Sequence, residues 1–129
     1  MNILLDTQAV VLWGLRDPSL PLLAQNAIAD SANRVMLSAV SVWEMAIKRA
    51  LGKLPLPAAA LQMCGELVVQ SGFSPLEITF EHVGAVEHLP PHHRDPFDRL
   101  LIAQATSDGL TIVSGDRWFD AYGIDRIWE

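Results

Sequence analysis

Residues 95–116, DPFDRLLIAQATSDGLTIVSGD, read as a helix running directly into a short strand. Pro96 sits at the first helical position, where its missing N–H is no loss, and Gly109 follows the last helical residue. Leu101, Ile102 and Ala105 lie three, four and seven residues after Asp98, the spacing of one apolar helix face. Thr111 to Ser114 is a short strand, and Asp116 to Tyr122 starts another short helix.

The same alternation runs through the rest of the chain. Upstream, strands are predicted at Asn2–Leu5, Val35–Ser38 and Phe73–Ile78, and helices at Thr7–Leu15, Leu22–Ser31, Ser41–Leu51, Ala58–Gln70 and Thr79–His88. Pro90 to Arg94 form a loop, and Ile124–Trp128 a last edge strand. Strands alternating with helices in this way predict one α/β domain over residues 1–129, a parallel sheet flanked by helices. On helix 41–51, Trp43, Ile47, Ala50 and Leu51 fall on one apolar face, which places Trp43 in the core.

Half of the 129 residues are hydrophobic, enough for a real core and against a disordered chain. No apolar run approaches the roughly 20 residues that span a bilayer. MNILLDTQAVVLW has no basic stretch before Asp6 and does not read as a signal peptide, so a cytoplasmic protein is expected. The single cysteine, Cys64, has no partner for an internal disulfide and reads as a small buried hydrophobe. The formal net charge of −6 is unusual for a nucleic-acid binder, which ordinarily presents a basic face. The positions of the acids therefore matter more than their number.

In open parallel sheets, ligands bind where the strands end. Asp6 directly follows the first strand, Glu44 falls in the first turn of the helix after the second, and Asp116 follows the strand at 111–114. Asp98 lies in the first turn of the Pro96 helix, on its apolar face, where an unpaired carboxylate is costly. Gathered at one edge, four carboxylates repel each other unless a divalent cation such as Mg²⁺ or Mn²⁺ holds them. That arrangement suits hydrolysis of a phosphodiester. Each acid also has a purely structural role open to it. Ser41–Glu44 and Asp95–Asp98 both fit capping boxes, and Asp6 and Asp116 fit helix caps. Asp95 stands four residues before Arg99, as a surface ion pair would.

The wording of these segments resembles the PIN-domain family, and within it the VapC-like toxins of bacterial toxin–antitoxin pairs. LLDTQAVVLW resembles the family's first motif, SAVSVWEMAIKRALGKL the second, HRDPFDRLLIAQA the third and TIVSGDRWFDAYGI the last. The resemblance covers residues 2 to about 124. It implies a sheet of strand order 3-2-1-4-5 and Mg²⁺- or Mn²⁺-dependent RNA cleavage. It places Asp6, Glu44, Asp98 and Asp116 as metal-binding catalytic acids, with Ser114 supporting Asp6 or Asp116. It also implies a homodimer and inhibition by a small antitoxin protein.

An RNA substrate needs positive contacts near the acids. Lys48, Arg49, Arg94, Arg99 and Arg117 are the candidates by position, with Trp118 as a base-stacking platform. His92 and His93 could touch phosphate or donate a proton, but with no nucleophile paired to them they read first as a solvated loop pair. The apolar stretch from Leu54 to Val69 offers one side of a groove for a partner peptide. Two other readings accommodate the acids: a receiver-like Mg²⁺-binding signalling module, and a non-catalytic dimerisation domain in which every acid is a cap.

Overall fold

From Ile3 onward strand β1 (Asn2–Leu5) is wholly buried, which only a central strand covered on both faces can be. The computed structural model describes residues 1–129. β1 pairs in parallel with β2 (Arg34–Ser38) on one side and with β4 (Thr111–Val113) on the other. β3 (Ser74–Leu76) adds to β2, and β5 (Arg126–Ile127) to β4, both parallel, giving the order β3-β2-β1-β4-β5. This is the α/β fold and the strand order expected. No helix is long and apolar enough to cross a membrane.

Side chains alternate across the sheet and divide the core in two. Ile3, Leu5, Val35, Leu37 and Val113 face one layer, built on α1 (Thr7–Gly14), α2 (Leu22–Ala29) and α4 (Ala60–Ser71). Leu4, Met36 and Ile112 face the other, built on α6 (Pro96–Asp108) with Phe119 and Val40. Fully burying one such aliphatic side chain stabilises the fold by about 1.5–3 kcal/mol. Cys64 is buried in the first layer, beside the Met45 sulfur.

Local differences from the predicted elements have plain causes. Helix α3 (Ala39–Ala50) starts at Ala39, because Ser38, not Ser41, accepts the capping bond, from the Val40 N–H. Glu44 therefore sits in the second turn of α3, and no Ser41–Glu44 capping box forms. Helix 79–88 divides into α5 (Phe80–Ala85) and a 3₁₀ turn, Val86–His88, while residues 117–122 are 3₁₀ throughout. Trp43 is 49% exposed and packs by its edge against Phe97, ring centres 4.7 Å apart, so it is not a core residue. This contact matters for the site, because it brings the start of α6 beside α3.

Candidate active site

The register fixes the first two acids. Leu5 is level with Val113, so Asp6 and Ser114 leave neighbouring strands at the same height, and the Asp6 N–H adds one further rung by donating to the Val113 carbonyl at 3.1 Å. This is the point where the strand order reverses, the place in such sheets where a crevice opens. Asp6 caps α1, accepting from the Ala9 N–H at 2.8 Å. Asp116 caps the 3₁₀ segment, accepting from the Trp118 N–H at 2.9 Å, and its own N–H donates to the Ser114 hydroxyl at 2.9 Å.

Glu44 and Asp98 cap nothing. The cap of α6 is Asp95, whose Oδ1 accepts from the N–H groups of Phe97 (2.8 Å) and Asp98 (3.2 Å). Glu44, only 5% exposed, accepts from the Thr7 hydroxyl at 2.6 Å and pairs with Lys48 through its other oxygen. Asp6, Glu44, Asp98 and Asp116 all line one open cavity of about 320 Å³, together with Thr7 and Lys48. An all-cap domain does not account for that.

Electrostatics record the crowding. Burial pushes the Asp6 carboxyl from its ordinary 3.8 up to about 6; hydrogen bonds from Ser114 and Ala9 draw it down, and the charges of Asp116 and Glu44 raise it. Asp98 is also raised, first by burial and then by the Asp95 charge, with His93 opposing. A pocket of four carboxylates offering oxygen, two of which, Asp6 and Asp98, resist ionising, fits a hard divalent cation such as Mg²⁺ or Mn²⁺.

The basic candidates separate. Lys48 lines the cavity and is engaged by Glu44, an attraction that raises its pKa. Arg94 and Arg117 are exposed, and Arg94 shares an adjoining pocket of about 510 Å³ with His92, His93 and Trp118, which is 60% exposed. Arg49 reaches the Leu56 carbonyl. Arg99 makes no ion pair with Asp95. Its guanidinium instead donates to the carbonyls of Val86, Leu89, Pro90 and His93, holding the preceding loop in place.

Sequence reasoning missed His93. It is not a solvated loop residue: its side chain is 14% exposed and its Nε2 lies 2.9 Å from the Oδ2 atoms of both Asp98 and Asp116. The three ligand-type atoms fall within 4.8 Å of one another. No spacing in the sequence foretells this, because the loop between α5 and α6 is set by tertiary contacts. Thr7 was legible only as the small polar residue beside Asp6.

Comparison with known proteins agrees with this architecture. The PIN domain family model matches residues 3–125. A Mycobacterium tuberculosis protein named Ribonuclease VapC16 is 38% identical over 55 residues, 43% of this chain and 39% of that protein, so the chain aligns with well under half of that relative's length. Among solved structures, VapBC2 from Rickettsia felis bound to a promoter DNA fragment aligns over 100% of both chains at a TM-score of 0.69 and 15% identity. FitAcB from Neisseria gonorrhoeae aligns over 96% of this chain and 95% of its own, at 0.60 and 22%. At these identities the structural likeness speaks for the fold, while the family model runs from β1 through β4 and ends just before β5. By that match this chain belongs to the PIN-domain family.

Proposed function

We propose that the chain is a cytoplasmic, Mg²⁺- or Mn²⁺-dependent endoribonuclease of the VapC type, the toxin of a toxin–antitoxin pair. One observation carries the reading: four carboxylates from separate elements line one cavity, and two of them do no capping that would explain their presence. The named ribonuclease relative and the toxin–antitoxin complexes among the structural neighbours support the same class.

Asp6, Glu44, Asp98 and Asp116 would hold the ion or ions. When bound, a divalent cation offsets the carboxylate charge and polarises both the phosphodiester and a water. The chain's own groups do the positioning. Ser114 fixes Asp116 through its backbone, Thr7 fixes Glu44, and Lys48 balances one charge at the rim. Trp118 offers an open ring for a base and Arg94 a cation for a neighbouring phosphate. With water as nucleophile, the products carry a 5′-phosphate and a 3′-hydroxyl, and the RNA 2′-hydroxyl takes no part.

Leu61, 75% exposed, lines a groove with Val42, Val68 and Leu76, and Val69, 82% exposed, is a further apolar residue on the surface of α4. An antitoxin segment or the second copy of a homodimer would cover that surface.

Incubating purified protein with RNA and Mn²⁺ should give cleavage that EDTA abolishes and that Asp98→Asn lacks. A 2′,3′-cyclic phosphate among the products would overturn the mechanism. Trp118→Ala should weaken RNA binding about 5- to 150-fold without moving Mn²⁺ affinity, from about 1–3 kcal/mol per stacked base.

A further inference from the structure

The loop between α5 and α6, residues 86–95, has little regular structure beyond one 3₁₀ turn, yet it is firmly tied. Arg99 bonds four of its carbonyls. The Tyr122 hydroxyl accepts from the His93 N–H at 2.8 Å and donates to the Pro90 carbonyl at 2.8 Å. The result is a strap that carries one side chain, His93, to the acids.

The two nitrogens of that ring have different partners. Nδ1 accepts from the Asp95 N–H at 3.2 Å, so it presents a lone pair and carries no proton. The ring proton of neutral His93 is therefore on Nε2, which hydrogen-bonds Asp116 Oδ2 and lies equally close to Asp98 Oδ2. A neutral imidazole binding a cation through Nε2 would need its proton on Nδ1, facing the Asp95 N–H donor. The same Asp95 caps α6, so the backbone cannot turn that N–H away without undoing the helix start that presents Asp98.

We propose that His93 is a positioning residue of the acidic pocket: an Nε2–H donor, strapped in place by Arg99 and Tyr122, that hydrogen-bonds Asp116 with Asp98 packed against the same nitrogen, and is not itself a ligand of the ion. It draws together one acid from α6 and one from the turn after β4, which share no backbone link. It takes up their Oδ2 side and leaves the Asp98 Oδ1 free for the cation. The inference rests on the metal-binding reading of the site, but the tautomer can be tested without it.

Long-range ¹H–¹⁵N spectra of the imidazoles should show His93 protonated at Nε2 in metal-free protein, and still so when Mg²⁺ is added. A proton on Nδ1 in either state overturns the proposal. Calorimetry with Mn²⁺ supplies the second readout. His93→Leu should weaken binding about 10- to 100-fold, as loss of a group orienting metal ligands does, while His93→Gln, whose amide can donate from the same place, should remain within about threefold of the parent. Equal losses in both variants mean that an imidazole nitrogen ligates the ion, and no loss in His93→Leu means that the bridge positions nothing. Tyr122→Phe, which keeps the ring and removes the hydroxyl holding the strap, should weaken Mn²⁺ severalfold; unchanged affinity there overturns the strap. A parent protein that takes up no Mn²⁺ overturns the nuclease reading instead, and the metal-free spectrum still decides the tautomer.

Discussion

The pocket holds two kinds of acid. Asp6 and Asp116 each accept a backbone N–H at the start of a helix or 3₁₀ segment, so they serve the fold wherever else they serve. Glu44 and Asp98 accept none, because Ser38 and Asp95 have already capped their helices. The first pair could be kept for structure alone. Of the second pair, Glu44 is held by Thr7 and Lys48, whereas Asp98 costs the metal-free fold, since burial and the Asp95 charge oppose its ionisation. A residue that burdens the free protein and faces a cavity is the clearer mark of function.

The comparison can be broken at its strongest point. Asp98→Asn should lower RNA cleavage about a thousandfold or more, with the metal-free protein as stable as its parent or more so. A variant that unfolds while losing activity would return Asp98 to a structural role. Urea denaturation in EDTA, set beside cleavage of a fluorescent RNA, measures both.

A pH series sharpens it next. The folded Asp6 carboxyl titrates near 6 against 3.8, so between roughly pH 4 and 6 the folded protein holds a proton that the unfolded chain has released. Stability of the metal-free protein therefore falls as pH rises through that window, by about 3 kcal/mol from Asp6 alone. Asp98 acts in the same direction. Saturating Mn²⁺ should raise the melting temperature most at neutral pH, where the carboxylates are charged. A flat melting profile in EDTA from pH 4.5 to 7.5 would show that the acids do not crowd one another.

The smallest effect concerns caps. Asp95→Ala and Asp116→Ala should each cost about 1 kcal/mol in chemical denaturation, the usual loss when an N-cap is removed, and Glu44→Gln should cost none of that kind. Equal losses in all three would erase the distinction between the two pairs.

Much of this was open to reading from residues alone, for reasons that differ by segment. Pro96 and Gly109 punctuate α6, and the run of buried aliphatics before Asp6 marks a central strand. These are local signals, and local chemistry produces them. Ser38 and Ser41 are both good caps, and only the end of β2 decides between them, so the depth of Glu44 in its helix was not legible. Trp43 and Arg99 were misjudged for the same cause: a helix face shows which residues share a side, not what that side meets. The placing of His93 was beyond reach, because it depends on Tyr122, far along the chain, and on Arg99 folding back from α6 over the loop.

The pairing of β1 with β4 carries a consequence for synthesis. β1 sits in the middle of the sheet, and of its two neighbours β2 follows it closely in the chain while β4 (Thr111–Val113) is made much later. Until that late strand emerges, Asp6 has neither the Val113 carbonyl nor the Ser114 hydroxyl beside it. A chain cut short of β4 thus has no finished pocket, however well its first two strands have paired.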